Sequence, residues 1–108
     1  MIRLTVIPRE DTKLYNLLSA KEVALRKKHQ GTLHRVGTRR AGTEKWKHVA
    51  YSGRITLQRC IGGTVAALVE SNAPREEWQL LTSFVGFLDR NFRDHIASIT
   101  ICYDRQDS

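Results

Sequence analysis

Cysteine is nearly absent from this chain. Cys60 and Cys102 are the only two, with no Cys-x-x-Cys pair and no Cys/His quartet around them. A structural zinc site needs such ligands at close spacing, so no metal or cofactor is expected. Two thiols this far apart in sequence read as buried and free in a reducing compartment rather than as a disulfide. Proline is equally scarce, and both prolines, Pro8 and Pro74, read as punctuation: the first closes a strand, the second opens a helix. Long apolar runs are missing too. No stretch approaches the ~20 apolar residues of a membrane span, and the run Ile2–Ile7 is too short for a secretory signal. The chain reads as cytoplasmic, with no membrane partner.

What is present suits one folded domain. At 108 residues, 41% hydrophobic and 27% charged, the chain can bury a core without a staple and is no candidate for disorder. A single domain over residues 1–108 is expected, with a polar tail at 104–108 and no internal repeat. Charge is the uneven property. Residues 1–54 hold 13 Lys/Arg against 4 Asp/Glu, whereas residues 55–108 hold 5 against 7. A basic half of this kind suits a negatively charged partner, and it equally suits a solvated face.

Periodicity predicts the elements. Ile2, Leu4 and Val6 alternate with Arg3 and Thr5 as a strand. Residues 11–29 read as helical, with Asp11 or Thr12 as the cap and Gly31 as the left-handed stop. A capping-box pattern at Ser19–Glu22 leaves open a loop followed by a shorter helix. Candidate strands follow at Thr32–Val36, Lys45–Tyr51, Arg54–Ile61 and Thr64–Glu70, with a loop at 37–43. Ser52-Gly53 and Gly62-Gly63 read as two-residue turns, which would pair Leu57 with Leu68 and Cys60 with Val65. A helix over 74–93 is predicted from Asn72 as cap, Pro74 in the first turn and Glu76 and Glu77 at its positive end. The last strand is Ile96–Tyr103. The order β-α-β-β-β-β-α-β implies an α+β fold in two layers, a mostly antiparallel sheet with both helices on one face.

Two features point toward function. The first is the basic set Lys27, Lys28, Arg35, Arg39, Arg40, Lys45, Lys47 and Arg54, interleaved with Trp46, His48 and Tyr51. Such cations hold phosphates by charge and counterion release, and Trp46 and Tyr51 are the candidates to stack on bases. If Trp46 instead faces the core, the lysines beside it are simply solvated. The same hairpin could carry a small ribonuclease centre from His48, Tyr51, Arg54 and Lys45, although no motif or spacing demands it. The second feature is the apolar arc of helix 74–93, near 180° wide where one core needs ~100°. Trp78, Leu80, Phe84 and Phe87 are therefore candidates for a homodimer interface, or for a ligand pocket beneath the helix.

Other constellations carry less. His29, His34, His48 and His95 lack metal-ligand spacing. Glu76 and Glu77 point about 100° apart and form no catalytic pair. Asp89 and Arg93 stand at i, i+4, the spacing of a surface ion pair.

The segment Glu76-Glu77-Trp78-Gln79-Leu80-Leu81, with Gly86–Phe92 and the closing Ile-rich strand, resembles small uncharacterised proteins carried by bacterial integron gene cassettes. The likeness covers the C-terminal half. It implies a bacterial, cytoplasmic origin and no particular activity. The sequence thus favours a homodimeric binding module over an enzyme, its partner RNA, DNA or an acidic protein surface.

Overall fold

The computed structural model describes residues 1–10 and 12–104, the side chain of Arg39 excepted. Six strands and two helices follow in the expected order: β1 (Ile2–Pro8), α1 (Leu14–Lys27), β2 (Leu33–Arg40), β3 (Thr43–His48), β4 (Arg54–Arg59), β5 (Val65–Glu70), α2 (Pro74–Phe92) and β6 (Ile96–Tyr103). The strands form one antiparallel sheet in the order β2-β3-β4-β5-β1-β6. The fold is α+β, as the periodicity implied.

Residues directly opposite in an antiparallel pair share a face, so the register sorts the side chains. Trp46 faces Ile55, Ile55 faces Val69 and Val69 faces Ile2, all four buried. Leu57, Ala67 and Leu4 form the next row of the same face. Leu14, Tyr15 and Leu18 of α1 and Leu80, Leu81, Phe84 and Leu88 of α2 belong to this core, so both helices lie on one side of the sheet. Trp46 is the hub. Its ring meets Phe87 at 5.4 Å and Phe84 at 6.2 Å between centroids, both nearly perpendicular, the favoured geometry for aromatic quadrupoles.

Local chemistry departs from expectation at several joints. α1 is continuous, so the Ser19 box starts nothing; Ser19 instead turns inward and is buried. Lys13 occupies the N-cap without a side-chain bond, the Thr12 hydroxyl donates to the Arg9 carbonyl, and the Asp11 alternative lies outside the described residues. His29 takes the left-handed position that closes the helix (φ 55°), and Gly31, two residues on, is left-handed as well (φ 86°). The His29 N–H donates to the Arg26 carbonyl and the Gln30 N–H to the Leu25 carbonyl, a Schellman closure. Asn72 does not cap α2: Ala73 holds that position, and its N–H donates to Ser71 Oγ at 3.2 Å.

The turns are longer than two residues. β3 stops at His48 and β4 starts at Arg54, which leaves a five-residue connection at 49–53. β4 and β5 are joined through a 3-10 turn at Ile61–Gly63, closed by the Cys60 N–H on the Thr64 carbonyl. Leu57 consequently pairs with Ala67 and Arg59 with Val65, one residue away from the expected register. The predicted 37–43 loop is mostly strand, because β2 runs to Arg40 with a register shift between Val36 and Arg40 around Gly37 (φ 73°). The expectation of two buried thiols also fails. Both cysteines are free, but Cys102 is exposed and Cys60 half-buried in the turn.

Candidate functional site: the uncovered face of the sheet

The face of the sheet opposite the helices carries the chemistry that the core face excludes. Cross-strand pairing aligns Cys102, Arg3, Leu68, Thr56, Lys45 and Val36 in one row. A neighbouring row runs Thr100, Thr5, Ala66, Gln58 and Thr43, with Arg40 opposite Thr43 at the hairpin end. Arg54 and Lys47 stand on the same face at the far ends of their strands. The surface is thus one of threonine, aliphatic groups and cations, with His34 opposite Lys47 and no Phe, Tyr or Trp ring among the paired residues.

Charge on this face is unevenly compensated. Arg3 Nε lies 3.0 Å from Asp104 Oδ2, and Arg54 Nε lies 3.7 Å from Glu70 Oε1. Arg40, Lys45 and Lys47 are exposed and make no ion pair among the described residues. Cations concentrate at the β2-β3-β4 end of the sheet, and the β1-β6 end is internally neutralised.

The basic set read from the sequence therefore divides. Lys45, Lys47, Arg54 and Arg40 come together on the uncovered face. Lys27 and Lys28 lie at the end of α1, in the helical layer. Arg35 points into that layer as well, 21% exposed, with its guanidinium 3.4 Å from Glu44 Oε1. Arg39 belongs to β2, and its side chain lies outside the description. The stacking assignments do not survive. Trp46 has no exposed surface at all, since strand alternation turns it to the core exactly where it turns Lys45 and Lys47 outward. Tyr51 is half-buried, packed against the core and 4.5 Å from the His48 ring. Of the four interface candidates, Leu80, Phe84 and Phe87 are buried within the monomer, and only Trp78 is exposed, at 54%.

The ribonuclease quartet is likewise split. His48 pairs with Leu33, on the helix side, while Lys45 and Arg54 occupy the other face. His48 Nδ1 accepts the Ala50 N–H at 2.9 Å, and burial holds the imidazole below its usual pKa, so the ring is held neutral by its surroundings.

One element that sequence reasoning missed is a buried polar pair of clusters beneath α1. Glu44, the residue before Lys45, is buried in the core face and accepts the Ser19 hydroxyl at 2.8 Å. Glu22, also buried, sits 3.5 Å from Arg26 Nε and 3.6 Å from His34 Nδ1. An acidic residue at an alternating core position of β3 was the available signal. These groups fasten α1 to β2 and β3. Ser19, Glu22 and Glu44 are buried, while Arg26, His34 and Arg35 reach the surface. A polar hollow of about 430 Å³ near Lys47 and Arg54 also includes Ser52, Glu70 and Glu77. Both carboxylates are paired there, Glu70 with Arg54 at 3.7 Å and Glu77 with the Met1 ammonium at 3.1 Å, which leaves Lys47 as its free cation among the described residues. Among the described residues no cluster could hold a metal ion, and no helix is long and apolar enough to cross a membrane.

In comparisons with protein-family models, curated proteins and solved structures, nothing matches the chain. The functional reading rests on the residues themselves.

Proposed function

We propose that the protein binds nucleic acid through its phosphate backbone, using the uncovered face of the sheet at the β2-β3-β4 end. The observation that carries this reading is the alternation along β3: Trp46 faces the core, and Lys45 and Lys47 face out beside Arg54 and Arg40, with no helix over them. Cations so grouped neutralise phosphates and release their counterions. With no Phe, Tyr or Trp ring among the paired residues of this face, recognition is by charge and shape. Base stacking is not part of it, so single strands hold no advantage over duplexes. An enzyme reading has no comparable support, because its candidate acid, base and cations stand on two sides of the sheet.

Fluorescence-anisotropy titration with a labelled duplex and a labelled single strand, each at 50 and 200 mM salt, tests the proposal. Contact with about four phosphates is expected to weaken duplex binding roughly a hundredfold across that interval. Lys45→Glu with Lys47→Glu abolishes binding and leaves the fold intact. No binding at 50 mM salt, or binding indifferent to the double substitution, overturns the reading.

A further inference from the structure

The two edges of the sheet are built differently. β2, at one edge, carries Arg35, Arg39 and Arg40 and a register break around Gly37, the devices that keep an edge strand from pairing with another chain. β6, at the other, carries no charged residue, and its one irregularity is a register shift against β1 at its first residues, between Ser98 and Ile96. Its eight residues, Ile96–Tyr103, include no charge and no proline, and its outer N–H and C=O groups have no strand beside them. The helix-side face of β6 is covered at Ile96 and partly at Ile99 but exposed toward Tyr103. Ile99, Ile101 and Tyr103 share it, and α2 runs alongside with Trp78, Leu81 and Val85, enclosing an apolar groove of about 670 Å³. Trp78 is 54% and Tyr103 61% exposed.

We propose that this edge is a self-association surface, on which β6 pairs antiparallel with β6 of a second copy and extends the sheet across a two-fold axis. The strand is complementary to itself. With Thr100 on the axis, Ile99 lies opposite the second copy's Ile101 and Ser98 opposite Cys102, within the stretch 98–103 that pairs regularly with β1. Apolar side chains then meet on the helix side and small ones on the other, and no charge is buried. The same register brings Asp104 of each copy against the Arg93–His95 turn of the other, which also contains Asp94. Charge explains why a second copy is preferred here to an acidic or basic partner. Arg93 is held by Asp89 in a bidentate pair and Arg3 by Asp104, so this end of the sheet is neutralised within the chain. The surplus cations lie toward the opposite end, three to five strands away, beyond the ~8–10 Å over which exposed charges repel in physiological salt.

Sedimentation equilibrium of the full chain from 1 to 500 μM reads the outcome directly, and a concentration-dependent dimer is expected. Ile101→Lys and Trp78→Lys, both at exposed positions on opposite walls of the groove, each weaken the dimer at least tenfold; Lys45→Glu leaves it unchanged. In a Cys60→Ser background, Ser98→Cys forms an intermolecular disulfide with the native Cys102 under mild oxidation, visible as a covalent dimer on a non-reducing gel. Circular dichroism confirms that each variant remains folded. A chain that stays monomeric throughout overturns the proposal in favour of a different chain as occupant of the groove. So does a dimer that is indifferent to both lysine substitutions or gives no Ser98→Cys cross-link.

Discussion

Lys45 and Trp46 are neighbours in the chain and lie on opposite sides of the sheet. The indole is fully enclosed by Phe84, Phe87 and Ile55, while the ammonium stands in solvent beside Thr56 and Val36. Stability and binding are therefore written into alternate residues of one strand, and substitutions separate them. Trp46→Ala is expected to cost about 3–5 kcal/mol in urea unfolding. Trp46→Phe costs less, since the indole N–H is buried without a hydrogen-bond partner among the described residues and its removal offsets part of the lost volume. Lys45→Ala shifts stability by no more than about 0.5 kcal/mol and is visible only in nucleic-acid affinity.

Gly53 and Gly62 both have positive φ, 103° and 76°, but their surroundings differ. A Cβ on Gly53 would run into the Glu70 carbonyl and crowd Ser71 and Leu80, whereas a Cβ on Gly62 would meet nothing. Gly62→Ala is expected to cost about 1 kcal/mol, the backbone strain alone. Gly53→Ala costs clearly more, because β4 and β5 must part to admit it. Paired thermal melts of the two variants check the ordering.

Glu44 holds α1 to the sheet through Ser19 and Arg35. Ser19→Ala removes one buried hydrogen bond and is expected to cost about 1–2 kcal/mol. Glu44→Ala leaves Arg35 facing the helical layer without this carboxylate, at about 3 kcal/mol. The double variant falls short of the sum by at least about 0.5 kcal/mol, as contacting residues do, and a double-mutant cycle measures the difference.

His48 supplies a pH dependence whose sign is fixed. Its folded pKa lies below the usual 6.5 because burial disfavours the charged ring, so the unfolded chain binds the extra proton first. The stabilisation is complete above pH 6.5 and is lost as the pH falls from there through the folded pKa. Protonation of Nδ1 would also break the bond from the Ala50 N–H. Chemical denaturation between pH 7.5 and 5 is expected to show a decline that is shallower in His48→Asn.

Much of this architecture was legible in the sequence. β6 was bounded correctly from Ile96 to Tyr103 because Ile99, Ile101 and Tyr103 alternate with Ser98, Thr100 and Cys102, although the register shift at Ala97 was not foreseen, and Pro74 marked the start of α2. The β4-β5 register was not, since Gly62-Gly63 imitates a two-residue turn. Yet Ile55 and Leu57 can share a buried face with Val65, Ala67 and Val69 only in the observed register; the apolar alternation carried better information than the glycines. The width of the α2 arc misled in the same way. Phe84, Phe87 and Leu80 spread around the helix because Trp46 rises from the sheet to meet them, which a helical wheel cannot display. His29 could not be foreseen as a left-handed residue with Gly31 two positions later. Of the basic site, the lysines of β3 were readable from parity once Trp46 was given to the core. Glu44 was not, because its partners Ser19 and Arg35 come from separate elements.

The position of β1 in the sheet sets the order in which the molecule can be completed. Both neighbours of β1 are distant in sequence: β5 lies more than 55 residues downstream, and β6 farther still. Ile2, Leu4 and Val6 therefore gain their partners only through long-range pairing, while the local hairpins β2-β3-β4-β5 can assemble around Trp46 without them. In refolding from denaturant the slow step is expected to be the closing of this long-range seam, the last part of the sheet to gain protection from hydrogen exchange.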